Sequence, residues 1–211
     1  MTPISNKQTQ IPQFSLYGET AHRNLIDFVH IEEIHVRSAA NNWIIKPHRH
    51  NTLFQILFIR KGATSVLLDD TTHKLDSSCV ITIPTGVVHG FHFQPDTEGY
   101  VLSLAINHQG LDTDSQLNTL FNEDMSKAHA LKLDDESAGE FLWDRLHEIK
   151  AELDVAQRDQ SLALFSLIKL ILIDIRRIVL KDNIQPLSVK QELQLSERFI
   201  KAVEENLFVT A

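Results

Sequence analysis

The sequence predicts an α+β chain: a β-rich first half built as an all-β barrel or sandwich, then a helical second half. Three observations predict it. Short runs of β-forming residues recur at about 8–12-residue spacing up to residue 112, with turn residues between them. Beyond residue 112 glycine and proline nearly vanish, Gly139 and Pro186 alone remaining. The apolar residues of that second part fall at helical rather than alternating spacing.

Taken in order, residues 31–38 (IEEIHVRS) are a short strand candidate. Residues 54–60 (FQILFIR) are rich in β-formers and end at the Lys61-Gly62 turn. Thr64–Leu68 runs into Asp69-Asp70-Thr71-Thr72, read as a hairpin connection. Residues 80–83 are apolar and stop at Pro84-Thr85-Gly86, and residues 90–93 and 100–106 are separated by Gln94-Pro95-Asp96. Residues 117–123 suit a short helix. Residues 135–155 carry Phe141, Leu142, Leu146, Ile149 and Leu153 at helical spacing. Residues 160–180 form a long helix, apolar almost all round in its middle, which must be buried on more than one side. A second subunit is a natural source of that cover, through Leu164, Leu167, Ile171 and Ile175; the alternative is a central helix packed only within its own domain. Asn183 and Pro186 break the pattern, and Ser196 reads as the N-cap of a last helix with Phe199, Ile200, Val203 and Leu207 on one side.

The 211 residues suffice for one domain and something more. With 43% hydrophobic and 23% charged residues the composition is that of a soluble globular protein. The single cysteine, Cys79, excludes an intramolecular disulfide framework and a cysteine-only zinc site. A net charge of -8 argues against DNA contact by most of this surface. Residues 1–14 lack the apolar stretch of a signal peptide, and residues 162–180 are interrupted by Ser166, Lys169, Asp174, Arg176 and Arg177. Neither a leader nor a membrane span is expected, and the expected compartment is the cytoplasm.

The 11 histidines are the unusual count. His48 and His50, two apart, share one face of an extended strand. Gln55 follows after four residues and Gly62 after six more, and Pro84-x-Gly86-x-x-His89 closes a later apolar strand. The two motifs resemble those of the cupin family in every spacing. Two positions depart from them: Gln55 stands where a metal-binding cupin has Glu, and Ser78 where the second motif opens with Gly. The resemblance implies a cupin-like β-barrel with His48, His50, Gln55 and His89 pointing inward. It also implies that His48, His50 and His89 could ligate a divalent metal, with open positions for water or substrate. Gln55 brings no charge, so such an ion lacks a compensating protein anion. No cofactor is therefore the expectation, with a divalent metal as the alternative. The other histidines, His92 included, read as surface, rim or packing residues.

A narrower resemblance covers residues 11–208. Residues 11–19 (IPQFSLYGE), His30-Ile31-Glu32, Pro47-His48-Arg49-His50 and residues 83–91 (IPTGVVHGF) are similar to AraC-family transcription regulators that respond to 4-hydroxybenzoate and related aromatic acids. Residues 195–208 (LSERFIKAVEENLF) resemble the opening helix of that family's DNA-binding domain. The resemblance implies an effector-binding barrel with an N-terminal arm over residues 1–112, the arm itself at 11–20 being a moving part. A helical dimerisation segment follows over 113–185, then a linker and the first helix of a truncated helix-turn-helix domain over 186–211. It implies a homodimer that reaches DNA only through that missing domain. The expected effector is a small molecule, an aromatic carboxylate by the resemblance. His48, His50, Gln55 and His89 are its candidate contacts, with Trp43 and Arg37 near the mouth. Lys46, Arg49 and Arg60 are unranked candidates for meeting the carboxylate. A small metal-dependent cupin enzyme, a dioxygenase or isomerase, is the alternative function, and a metabolite-binding cupin without regulatory role a third.

Overall fold

The computed structural model describes residues 29–76, 78–105, 125–133, 136–155 and 157–183. The candidate arm (11–20), the short helix at 117–123 and the last helix at 195–208 lie outside them. Residues 1–179 form one compact unit, and the second unit, Leu180–Ala211, contributes to the described residues only the end of a helix.

The first sheet orders its strands β1 (Val29–Glu33), β8 (Glu98–Ala105), β3 (Leu53–Lys61), β6 (Cys79–Ile83) and β9 (His129–Lys132). The second orders β2 (Ile44–His48), β7 (His89–Phe93), β4 (Thr64–Leu68) and β5 (Thr71–Leu75). Every pairing is antiparallel.

Strand β3 is buried on both faces. Its register aligns Leu57 with Val101 of β8 and Ile81 of β6, and Gln55 with Ser103 and Ile83. Directly paired residues point to the same side, so this row faces the second sheet. There Leu57, Ile59, Ile81 and Ile83 meet Val66, Leu68, Phe91 and Phe93 in one apolar cluster. The alternate residues Phe54, Ile56 and Phe58 point the other way, with Val80, Tyr100, Leu102 and Leu104, onto the helices. Those helices are α2 (Glu136–Asp154) and α3 (Gln160–Asn183). They cover the outer face through Leu142, Leu146, Ile149, Leu164, Ile168, Ile171, Leu172 and Ile175.

The strands expected at 54–60, 64–68, 80–83, 90–93 and 100–106 and the helices at 135–155 and 160–180 all form, with ends shifted by a few residues. Three differences stand out. Residues 31–38 are not one strand: the chain leaves the sheet after Glu33 and makes a helical turn, α1 (Ile34–Ser38). Tertiary packing ends the strand, because Ile34 turns into the barrel core at 3% exposure. It lies so close over Gly99 that a Cβ there would be 2.8 Å from Ile34 Cδ1. The hairpin after β4 is tighter than expected, Asp69-Asp70 alone making the turn and Thr71-Thr72 opening β5. Strand β5 is polar and mostly solvent-facing, so it carries no apolar alternation to reveal it. Strand β9 is four residues long and completes the first sheet from within the otherwise helical part.

Three of the four dimerisation candidates on α3 are buried within this chain. Leu164, Ile171 and Ile175 are at most 1% exposed and belong to this chain's own core. They share one cluster with the sheet residues Phe54, Ile56 and Phe58 and with Leu142, Leu146 and Ile149 of α2. Leu167 is half-buried. The exposed leucines of the same helix within this unit are Leu162 and Leu170. Ile171→Ala should therefore cost about 2–5 kcal/mol of folding stability through the cavity it leaves, whereas Leu162→Ser should change it by less than about 0.5 kcal/mol. Urea unfolding of the two variants checks this, and similar losses in both would contradict the packing described.

Candidate functional site

The two motifs converge at one end of the barrel. Strand β2 pairs with β7 through Ile44, Ile45 and His48, with a register shift before His48, which aligns with His89. That close approach needs Gly90, where a Cβ would come within 3.0 Å of the Pro47 nitrogen. His50 lies just past β2, and its carbonyl accepts a 2.7 Å bond from the Gly86 N–H. Gly86 has a left-handed φ of +83°, which suits glycine in the turn before His89. The Val88 N–H donates to Asp69 Oδ1 (3.0 Å) and the Asp69 N–H to the Val88 carbonyl (2.7 Å), tying the β4–β5 turn to the same loop.

The three imidazoles form a cluster, with ring centroids 4.3 Å apart for His48–His89, 5.0 Å for His48–His50 and 5.4 Å for His50–His89. One ring nitrogen from each lies within 4.8 Å of the others. A carbonyl can only accept, so two bonds fix two tautomers. His48 Nδ1–H donates to the Lys46 carbonyl (2.8 Å) and His89 Nδ1–H to the Val87 carbonyl (2.9 Å). Each neutral ring then carries its lone pair on Nε2. His89 is 1% exposed, and its Nε2 is buried with no hydrogen-bond partner. Burial, with smaller contributions from the neighbouring imidazoles, lowers the His89 pKa to about 3. Burial likewise lowers that of His48, with His50 and Arg37 adding to the effect.

The cluster lines a cleft that is partly open to solvent. Gln55 and Leu57 line it from one sheet, Ile45, Phe91 and Phe93 from the other, and Glu32, Arg37 and Ser38 from β1 and α1. The Gln55 amide donates to Ser103 Oγ (3.0 Å). Arg37 Nη2 is 2.9 Å from Glu32 Oε1. Burial pushes the Glu32 carboxyl up, but His30 and Arg37 beside it outweigh that and hold it below the usual carboxylate range.

Five of the six predicted contact residues, His48, His50, Gln55, His89 and Arg37, thus meet at one cleft. Trp43 does not line it: its left-handed backbone (φ 62°) leaves its ring packed against the barrel core. Lys46, Arg49 and Arg60 do not line it either. Arg60 instead makes a two-pronged pair with Glu140 of α2 (3.0 and 2.9 Å) above the Trp143 ring. Sequence reasoning missed Glu32, Ser38, Phe91, Phe93 and Val101. The period-two pattern of β7 and β8 places such residues on one face, but only the strand pairing says which face is the inside.

A family model described as "AraC-like ligand binding domain" matches residues 30–201. The chain belongs to the AraC-like ligand-binding family. No curated protein matches it. Among solved structures it is similar to the AraC-like transcriptional activator CuxR at 11% identity and a TM-score of 0.41, over 72% of this chain and 48% of that one. It is also similar to KdgF from Halomonas sp. at 25% identity and a TM-score of 0.28, over 29% of this chain and 58% of that one. A cupin-2 domain containing protein from Shewanella frigidimarina NCIMB 400 matches at 13% identity and 0.29, over 36% and 68%. The chain spans little more than half the length of KdgF and about half that of CuxR. Among the described residues no helix is long and apolar enough to cross a membrane.

His89 makes the fold acid-sensitive. Its folded pKa of about 3 lies below the ordinary value near 6.5, so the unfolded chain takes up the proton first as pH falls. Stability is full above about pH 6.5 and is lost below it, at up to about 1.4 kcal/mol per pH unit for this group, until the folded ring itself protonates. In metal-free protein, His89→Gln should flatten the decline between about pH 6 and 4, as read from urea midpoints. An unchanged slope would mean that His89 is solvated.

Proposed function

We propose that this chain is the effector-sensing region of an AraC-type transcription regulator, working as a homodimer in the cytoplasm. A small effector, an aromatic carboxylate of the 4-hydroxybenzoate kind, enters the barrel cleft. DNA contact then falls to a helix-turn-helix domain that follows the sensing region. The observation that carries this reading is the cleft itself: apolar walls with a few convergent polar groups, the usual make-up of a small-molecule site, in a chain that belongs to a ligand-binding family. The effector can shift the regulator only by its differential affinity for two arrangements. A route for that difference is present, because β3 and β8 each carry cleft residues on one face and helix-packing residues on the other.

A thermal-shift screen of aromatic acids and sugars tests the reading. An effector at about a hundred times its Kd should add about 2.7 kcal/mol, roughly 5–10 °C in Tm. Absence of any shift across both classes would count against a sensor of this chemistry.

The orphaned His89 Nε2 favours a second reading, a metal-dependent cupin. His48, His50 and His89 would hold a divalent ion, which would supply Lewis-acidic positive charge. Anchored Nδ1–H groups and lowered pKa values suit neutral nitrogen ligands. The uncharged Gln55, already donating to Ser103, supplies no balancing anion. On the sensor reading, protein purified without a tag should carry less than about 0.1 metal per chain and turn over no aromatic substrate. One tightly held iron, manganese or zinc, lost in His89→Ala, together with turnover would favour the enzyme.

A further inference from the structure

Among the described residues lining the cleft, Arg37 alone carries a permanent positive charge, against Glu32 and Glu33. Glu32 is built into the wall: it aligns with Val101 on the inward face of the sheet, and its side chain is 17% exposed. Its Oε1 is engaged by Arg37 Nη2 at 2.9 Å, and its Oε2 lies 3.7 Å from His30 Nε2, beyond hydrogen-bond distance. Arg37 is different. It stands on the short turn α1 at the mouth, its side chain 49% exposed, and the Glu32 pair takes one edge of a guanidinium that has five donors. An ion pair this exposed is weak, so an incoming carboxylate can share or replace it, while Glu32 stays beside His30. Deeper in, Phe91 and Phe93 stack at 5.2 Å and 10°, and the Phe91 ring lies 6.0 Å from His89. Together they form an apolar wall beside a polar ring.

We infer that Arg37, held at the mouth by Glu32, selects an anionic effector: a planar monocarboxylate whose acid group meets the guanidinium and whose ring lies along Phe91 toward His89. Glu32 acts as an internal competitor that occupies Arg37 until the effector arrives. This rests on the sensor reading above.

The test compares matched acids and amides by calorimetry: benzoate, 4-hydroxybenzoate and phenylacetate against benzamide, 4-hydroxybenzamide and phenylacetamide. The folded chain should bind at least one acid at least about tenfold more tightly than its amide, the range of one charge-assisted contact. Arg37→Met, which keeps the apolar stem, should abolish that preference and leave amide affinity within about twofold. Glu32→Gln should move the preference the other way, tightening the acids several-fold. A merely structural role for the pair would move acids and amides together. If Arg37→Met does not fold, Arg37→Lys carries the same comparison, because it keeps the charge and loses the fork, and the preference should fall partway. Equal binding of acids and amides by the unmodified chain, or equal losses in the variants, would overturn the assignment of Arg37 and leave the sensor reading standing. Failure of every acid and amide to bind would overturn both.

Discussion

The two-sided burial of β3 is the constraint on which the rest depends. Its residues alternate between two cores: Leu57 and Ile59 belong to the barrel interior, Phe54, Ile56 and Phe58 to the layer under the helices. A one-residue slip would exchange the two sets and put Gln55 beneath the helices. The register with β8 and β6 therefore fixes the cleft and the helical layer at once. The same strand also places Gln55 beside the histidine cluster.

At the barrel end, backbone rather than side-chain bonding organises the site. Carbonyls of Lys46 and Val87 orient two imidazoles, and a Gly86-to-His50 bond joins the two motif loops. The outcome is a cluster in which one nitrogen of each ring lies within 4.8 Å of the others, with His48 and His89 anchored through Nδ1–H. Such a cluster can accept hydrogen bonds from a phenol, or offer nitrogen to an ion. Gln55 brings dipoles and no charge to the same cleft.

Charge is distributed to match. The chain as a whole carries -8, yet Arg37 stands at the mouth of the one described cleft that holds the histidines. The helices meanwhile are tied to the sheet by ring packing and a surface clamp. Tyr100, Trp143 and His147 pack in tilted and edge-on contacts, the Tyr100 hydroxyl lies 3.3 Å from His147 Nε2, and Arg60 bridges to Glu140 across the Trp143 face. Tyr100 and Val101 are neighbours on β8 with opposite faces, so the helix contact and the cleft wall are one peptide apart.

The sequence by itself determined the fold class, most strand and helix positions, and the convergence of His48, His50, Gln55 and His89. The first two follow from local information, turn residues and periodicity; the convergence follows from the resemblance of the two motifs to those of the cupin family. Only the tertiary structure decided which face of β3 is inward, because alternation in a strand buried on both sides has no polar face to mark it. It also decided that Leu164, Ile171 and Ile175 are core residues, since an all-apolar helix looks the same whether its own sheet or a second subunit covers it. Arg37 and Trp43 were equal candidates by proximity to the motif. A helical turn carried Arg37 to the mouth and two successive left-handed residues, Asn42 and Trp43, turned the indole away. Backbone conformations of that kind are held by distant packing, which no local pattern encodes.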